Sequence, residues 1–178
     1  MFSLFEKEDA KSKIIDRVFV SSIAKQNAIL EKIRNQTNSI IVTWFDESYR
    51  QIETLLQSNN LKAEIYMARQ IAAHHIQNNQ VLFLEHYPFL IKENELLEKL
   101  QLKEAVFYSA LDEPLFIPFG GDKMIALMEK MGLSENEAIE HPMISAAIKN
   151  LQEKISKKVT VEYTAQSQAE WFSKNIVK

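Results

Sequence analysis

The chain has 178 residues, a formal net charge of −3, no cysteine and only three glycines. An average chain of this length contains about twelve glycines. Because the three lie at Gly120, Gly121 and Gly132, the sequence holds neither a Walker phosphate loop nor a dinucleotide fingerprint. The lack of cysteine excludes disulfides, thiolate nucleophiles and cysteine-ligated metals. With no apolar run of about 18 residues and no dense Lys/Arg patch, we expect a cytoplasmic protein that neither spans a membrane nor binds nucleic acid.

Short apolar runs alternate with helical patterns along the first 110 residues. The predicted strands are residues 18–20, 39–45, 63–68, 81–87 and 105–110. One predicted helix ends near Arg34, and three more span residues 46–58, 69–77 and 92–100. At the second helix we expect the carboxylate of Asp46 to cap the first turn. Strands that alternate with helices are typical of βαβ units, so the sequence predicts an α/β protein with a parallel sheet.

After residue 110 the pattern is mostly helical. The predicted elements are helices at residues 122–131, 142–158 and 169–175 and a short strand at 159–163. Ser134 and Glu137 have the spacing of a capping box. Pro142 suits the first position of the long helix, because a proline there removes no helical hydrogen bond.

Three segments of the second half follow one another in a distinctive order. Residues 107–115 read FYSALDEPL, residues 119–128 read FGGDKMIALM, and residues 138–152 read AIEHPMISAAIKNLQ. They are similar to the FYxSLEDxL, FGGDRIxxLM and PIEHxMVxxAIxxAQ segments that end the second RecA-like domain of the preprotein translocase ATPase SecA. Residues 16–28 and 39–47 resemble the start of the same domain. The resemblance therefore spans roughly residues 16–155.

The resemblance implies a three-layer RecA-like (P-loop NTPase-like) parallel sheet with a C-terminal helical extension. It divides the chain into an N-terminal segment at residues 1–15, a degenerate SecA-like domain at 16–158 and a C-terminal tail at 159–178. The family's QLRGRAGRQGDPG segment supplies arginines to the ATP site, but residues 70–178 of this chain contain no arginine. An arginine finger contributes on the order of 10³–10⁵ in rate. We therefore expect no ATPase activity, no catalytic residues and no cofactor.

Candidate binding side chains lie where the predicted strands end. They are Asp46, Arg69, Glu85, His86 and Tyr87. The carboxyl ends of parallel strands face the ligand crevice in open α/β sheets, so one interpretation is a cleft or docking surface formed by these groups. The alternative, which we favour, is that they pack at the strand ends and cap helices.

Histidine pairs and acid pairs offer weaker candidates. His74 and His75, with Glu85 and His86 nearby in sequence, form the best metal candidate. Adjacent helical side chains point about 100° apart, so we expect ordinary polar histidines and no metal site. For the acid pair at residues 112–113 we expect a cap of the short turn that follows it.

The functional prediction is a catalytically inactive binding or adaptor module, linked to protein translocation through the resemblance to SecA. The apolar stripe on the 142–158 helix is expected to lack intramolecular partners, which favours a protein partner or self-association through this helix. One alternative is a small nucleotide- or phosphate-binding protein that uses the cleft around Arg69 and His86. A hydrolase based on Glu85 and His86 ranks last, because no nucleophile accompanies them.

Overall fold

The structure, a computed structural model, describes residues 12–36, 38–117, 134 and 136–176. The strands are β1 (Lys13–Phe19), β2 (Ser39–Thr43), β3 (Glu64–Met67), β4 (Gln80–Phe83) and β5 (Glu104–Ala110). The helices are α1 (Ser22–Asn35), α2 (Asp46–Ser58), α3 (Leu90–Leu100), α4 (Pro142–Lys158) and α5 (Gln168–Asn175). The strands form one five-stranded sheet in the order β1-β5-β4-β2-β3, and every pairing is parallel. The predicted α/β class with a parallel sheet is confirmed.

Helices cover both faces of the sheet. Ile41 and Leu82 belong to the core cluster that contains the buried residues of α1 and α2. Phe83 and Phe107 belong to the opposite cluster, with the leucines of α3. Successive strand residues point to opposite faces. Since both faces are covered, β2 is apolar and buried along nearly its whole length, as is typical of parallel sheets.

A third core cluster lies beside the carboxyl edge of the sheet, where α4 and α5 pack. Ile148, Leu151 and Ile155 of α4 are buried there with Trp171 of α5. The expectation that this stripe lacks intramolecular partners is therefore wrong, because α5 and the segment after β5 cover it. Met143, at the start of α4, is 74% exposed.

Several local predictions differ from the structure. The strand predicted at 18–20 is β1, which begins at Lys13; the charged residues Lys13, Asp16 and Arg17 interrupt the apolar pattern there. Residues 69–77 form turns rather than a helix; for example, the N–H of His75 bonds the carbonyl of Ala72. The strand predicted at 81–87 ends at Phe83, since the polar residues that follow turn away to bond other elements. Residues 159–163 are not a strand, and the predicted helix at 122–131 lies outside the described residues.

Helix starts follow the sequence closely, with one exception. Pro142 begins α4 as predicted, and His141 Nδ1 accepts from the N–H of Met143 at 3.2 Å. Helix α2 begins at Asp46, but the carboxylate of Asp46 does not cap it. Instead this carboxylate bonds Arg69, because the turn after β3 brings the guanidinium within reach.

Candidate functional site

The first candidate pair, Asp46 and Arg69, is an exposed ion pair. The Arg69 guanidinium donates to both carboxylate oxygens of Asp46, at 2.7 and 3.2 Å. The side chains are 38% and 58% exposed. The hydrogen bond from Arg69 holds the pKa of Asp46 below its usual value. Because this contact is bidentate, the Arg69 guanidinium is already paired with a carboxylate of the same chain.

Glu85 is buried and closes the turn between β2 and α2. One carboxylate oxygen accepts from the N–H groups of Trp44, at 3.0 Å, and Phe45, at 3.3 Å. The other accepts from the Ser48 hydroxyl at 2.6 Å. Burial raises the pKa of Glu85, and the bond from Ser48 opposes this rise. These contacts fit the predicted capping role, at a turn that leads into a helix, better than the role of a free acid in a binding cleft.

His86 lies between two carboxylates and is only 2% exposed. Its Nε2 is 2.9 Å from Asp16 Oδ1, and its Nδ1 is 3.0 Å from Glu93 Oε1. The ring stacks on Phe107, with centroids 4.4 Å apart. Burial alone would lower the pKa of His86, but Glu93 and Asp16 outweigh it and raise the pKa to about 10. The side chain is therefore an imidazolium with both nitrogens engaged, which removes the general base that a hydrolase would need.

Tyr87 lies in an aromatic cluster beside α5. Its ring is 4.9 Å from Trp44 and 5.7 Å from Phe45, centroid to centroid. Its hydroxyl donates to Glu162, which also accepts from Trp171 Nε1 at 2.8 Å. Burial and Glu162 both raise the pKa of Tyr87.

The structure thus joins Asp46 to Arg69, gives Glu85 partners of its own, and places Glu93 Oε1 against both His86 Nδ1 and the N–H of Tyr87, at 3.0 and 2.6 Å. Beside Glu85 lies a cavity of about 200 Å³. The charged residues that line it are Lys25, Glu47, Glu85, Asp112 and Glu113.

The roles of Lys25 and Asp112 in this cavity could not be seen from the sequence. The ammonium of Lys25 bonds Glu113 and also the carbonyl of Leu84, the latter at 2.8 Å. Asp112 accepts from the N–H of Ser22 at 2.9 Å and from its hydroxyl at 2.7 Å. Asp112 therefore caps the first turn of α1, not the turn after β5. The position of the acids after β5 was a usable signal, but nothing local identifies partners about 90 residues away.

The histidine pair shows no metal-binding geometry. The rings of His74 and His75 lie 4.0 Å apart, and His75 stacks on Tyr66 at 4.6 Å. His86 lies elsewhere, in its carboxylate pair. Within residues 12–36, 38–117, 134 and 136–176, the structure contains no group of three or more His, Cys, Asp or Glu that could hold a metal ion.

Comparison with known proteins confirms the similarity seen in the sequence. The chain is 53% identical over 49 residues to protein translocase subunit SecA 1 of Alkaliphilus metalliredigens. It is 46% identical over 52 residues to SecA of Acidithiobacillus ferrooxidans, and 49% identical over 49 residues to SecA of Acinetobacter baumannii. The chain resembles SecA.

The SecA similarity covers a limited part of both proteins. The matched stretches amount to 28% or 29% of this chain and to only 5% or 6% of the SecA relatives. The chain matches no protein-family model. In the part of the chain that the structure describes, no helix is both long enough and apolar enough to cross a bilayer.

Proposed function

We propose that this chain is a catalytically inactive SecA-like domain that acts as a binding or adaptor module linked to protein translocation. Its similarity to protein translocase subunit SecA supports the link. One structural observation carries the rest of the proposal: at the carboxyl edge of the sheet, the chain's own carboxylates occupy the positions where an anionic ligand would bind.

The N-terminus of α1 illustrates this occupation. Helix N-termini bind phosphate because their free N–H groups and the helix dipole favour an anion. Here the carboxylate of Asp112 accepts a hydrogen bond from the N–H of Ser22, and the Ser21 hydroxyl accepts one from the N–H of Ala24. The first turn of α1 is thus largely satisfied from within the chain.

The approach to α2 is filled in the same way. Glu85 accepts hydrogen bonds from the N–H groups of Trp44 and Phe45, just before the helix. The carbonyl of Gln166 accepts a hydrogen bond from the N–H of Glu47 in the first turn, at 2.9 Å. A phosphate would have to displace these groups before it could bind.

The cations of this edge are also engaged. Lys25 bonds Glu113, and Arg69 bonds Asp46. The cavity beside Glu85 is lined by four carboxylates and one ammonium, so it repels phosphate. Residues 70–178 contain no arginine that might act on a transferred phosphoryl group. These features support a domain that has kept its fold without ATP chemistry.

Helix α4 offers a surface for a protein partner or for self-association. Met143 is largely exposed, and Ala147 and Asn150 lie exposed on the same side of the helix. The adjacent side packs into the core through Ile148 and Leu151. Of this helix, the solvent-facing side is therefore the part that a partner can reach.

Purified protein tests both parts of the proposal. We expect no ATP hydrolysis and no change in melting temperature with millimolar Mg·ATP or inorganic phosphate, because binding to the folded state alone would raise it. We also expect binding to the purified translocase subunits of the same organism. Met143→Asp should weaken this binding, whereas Ile91→Asp, which puts the same charge in place of another exposed apolar residue, should not. ATP turnover would overturn the inactive assignment. A phosphate-dependent rise lost in Arg69→Ala would instead favour the nucleotide- or phosphate-binding alternative.

A further inference from the structure

Residues 159–176, which we call the strap, cross the carboxyl edge of the sheet after α4. The strap includes α5 and contacts the chain segments that follow β2, β4 and β5. In open α/β sheets this edge is where ligands and partners gain access. The strap therefore covers this edge, which is a different surface from the solvent-facing side of α4 described above.

Glu162 is the main polar anchor of the strap. Its carboxylate accepts from the Tyr87 hydroxyl, the Lys92 ammonium and the Trp171 indole N–H. Burial would raise the pKa of Glu162, but these three donors lower it. The carboxylate thus binds the strap to the segment after β4 and to α3 through charge-assisted bonds.

Two glutamines complete the polar attachment. Gln168 accepts from the N–H of Leu115 at 2.8 Å and donates to the carbonyl of His86 at 3.1 Å. The carbonyl of Gln166 accepts from the N–H of Glu47. The hydrogen-bond acceptors of the Glu47 and Leu115 N–H groups therefore both belong to the strap.

The apolar attachment centres on Trp171. Its indole is fully buried and makes edge contacts with Phe89, at 5.2 Å, and Tyr87, at 6.4 Å. Release of the strap would uncover these rings together with Phe45, which shares the cluster. An aromatic surface of this kind is typical of protein-binding sites.

The strap is built as a unit separate from the sheet. Helix α5 has only eight residues, too few to be stable in isolation, so its order depends on docking. Within the strap, Asn175 bonds both the N–H and the carbonyl of Tyr163, which ties its two halves together. The polar contacts with the sheet edge are mostly made by side chains, whose donors and acceptors can bond water after release.

We propose that the strap is an autoinhibitory contact, which detaches as one unit while the sheet stays folded and thereby opens the carboxyl edge to a protein partner. The identity of the blocked surface rests on the proposed binding role. The detachment itself does not, because it can be measured on the protein alone.

Native-state hydrogen exchange of the full chain tests the detachment. We expect the amides of Glu47, Leu115 and Trp171 to show one common protection factor. That factor should be at least about tenfold below that of sheet amides such as Leu82 in β4, since a local opening is cheaper than global unfolding. Exchange of all these amides at the same rate, in one global unfolding event, would overturn the proposal.

A variant at the polar anchor provides the second measurement. Glu162→Gln should raise exchange at Glu47, Leu115 and Trp171 at least about tenfold, because it removes charge-assisted bonds of the strap. The sheet amides should not change. The control Glu153→Gln removes the same charge from an exposed position on α4 and should leave all rates unaltered. An equal increase at strap and sheet amides in Glu162→Gln would show that the strap does not open separately. A failure to find a protein partner would count against the binding role without altering the exchange result.

Discussion

Replacement of His86 by glutamine should destabilise the fold strongly at pH 7. The imidazolium contacts Asp16 and Glu93, whose side chains are 3% and 0% exposed. Without it, two carboxylates stay buried with no cation between them. Loss of one partner from a buried ion pair costs about 3–5 kcal/mol. Since a domain of this kind has a stability of about 5–15 kcal/mol, the variant should lose a large share of it.

The contacts of His86 also determine how the stability of the wild-type protein changes with pH. The pKa of His86 rises from 6.5 to about 10 on folding. A raised pKa stabilises the folded state fully below pH 6.5, and this contribution is lost as pH rises towards 10. The shift corresponds to at most about 5 kcal/mol over that window, at 1.36 kcal/mol per pKa unit.

Urea denaturation between pH 6.5 and 9 measures both effects. We expect the free energy of unfolding of the wild type to fall across this range and that of His86→Gln to fall less. The triple variant His86→Leu/Asp16→Asn/Glu93→Gln removes all three charges, so it should recover much of the loss. A cost below about 1 kcal/mol for His86→Gln, or no wild-type slope, would refute the buried charge pair.

Three further substitutions separate buried from exposed charges in the same denaturation assay. Lys25→Met should lower the free energy of unfolding by about 3 kcal/mol, because it leaves the buried carboxylate of Glu113 unpaired. The double variant Lys25→Met/Glu113→Leu should recover most of this loss, and no recovery would contradict the pairing. Arg69→Ala should cost at most about 1 kcal/mol and less in high salt, since its ion pair is exposed; a larger loss would show a structural role. Asp112→Ala should cost about 1 kcal/mol through loss of the α1 cap, whereas an unchanged midpoint would exclude that cap.

The sheet was predictable because its strands contain short apolar runs. In β2 the run from Ile40 to Val42 is buried on both faces, and in β5 the run from Ala105 to Tyr108 is buried in the same way. Such runs, separated by helical patterns, specify parallel pairing locally. The predicted helix at 69–77 failed because the region makes i to i−3 turn bonds after β3, and Asn78 takes a positive φ of 62° that ends it.

The site was harder to predict because its contacts are distant in sequence. The strand ends indicated where Glu85 and His86 would lie, but not that they would have different partners. His86 meets Asp16 across 70 residues, and Glu85 meets Trp44 across 41. A hydrophobic pattern gives the face that a side chain occupies, whereas the pairing of buried charges depends on the packed structure.

The charges at the carboxyl edge of this sheet support the proposal that the edge suits protein contact better than phosphate chemistry. An anion site needs unpaired donors, and here Asp112 and Glu85 take the donors at the starts of the first two helices. Two further donors of this edge, the N–H groups of Glu47 and Leu115, bond Gln166 and Gln168 of the strap. Because the strap supplies neutral acceptors and an indole, what could replace it is another polypeptide segment of similar chemistry. In the two proposals, the acids therefore disfavour phosphate at this edge, and the strap blocks access of proteins until it detaches, which hydrogen exchange tests.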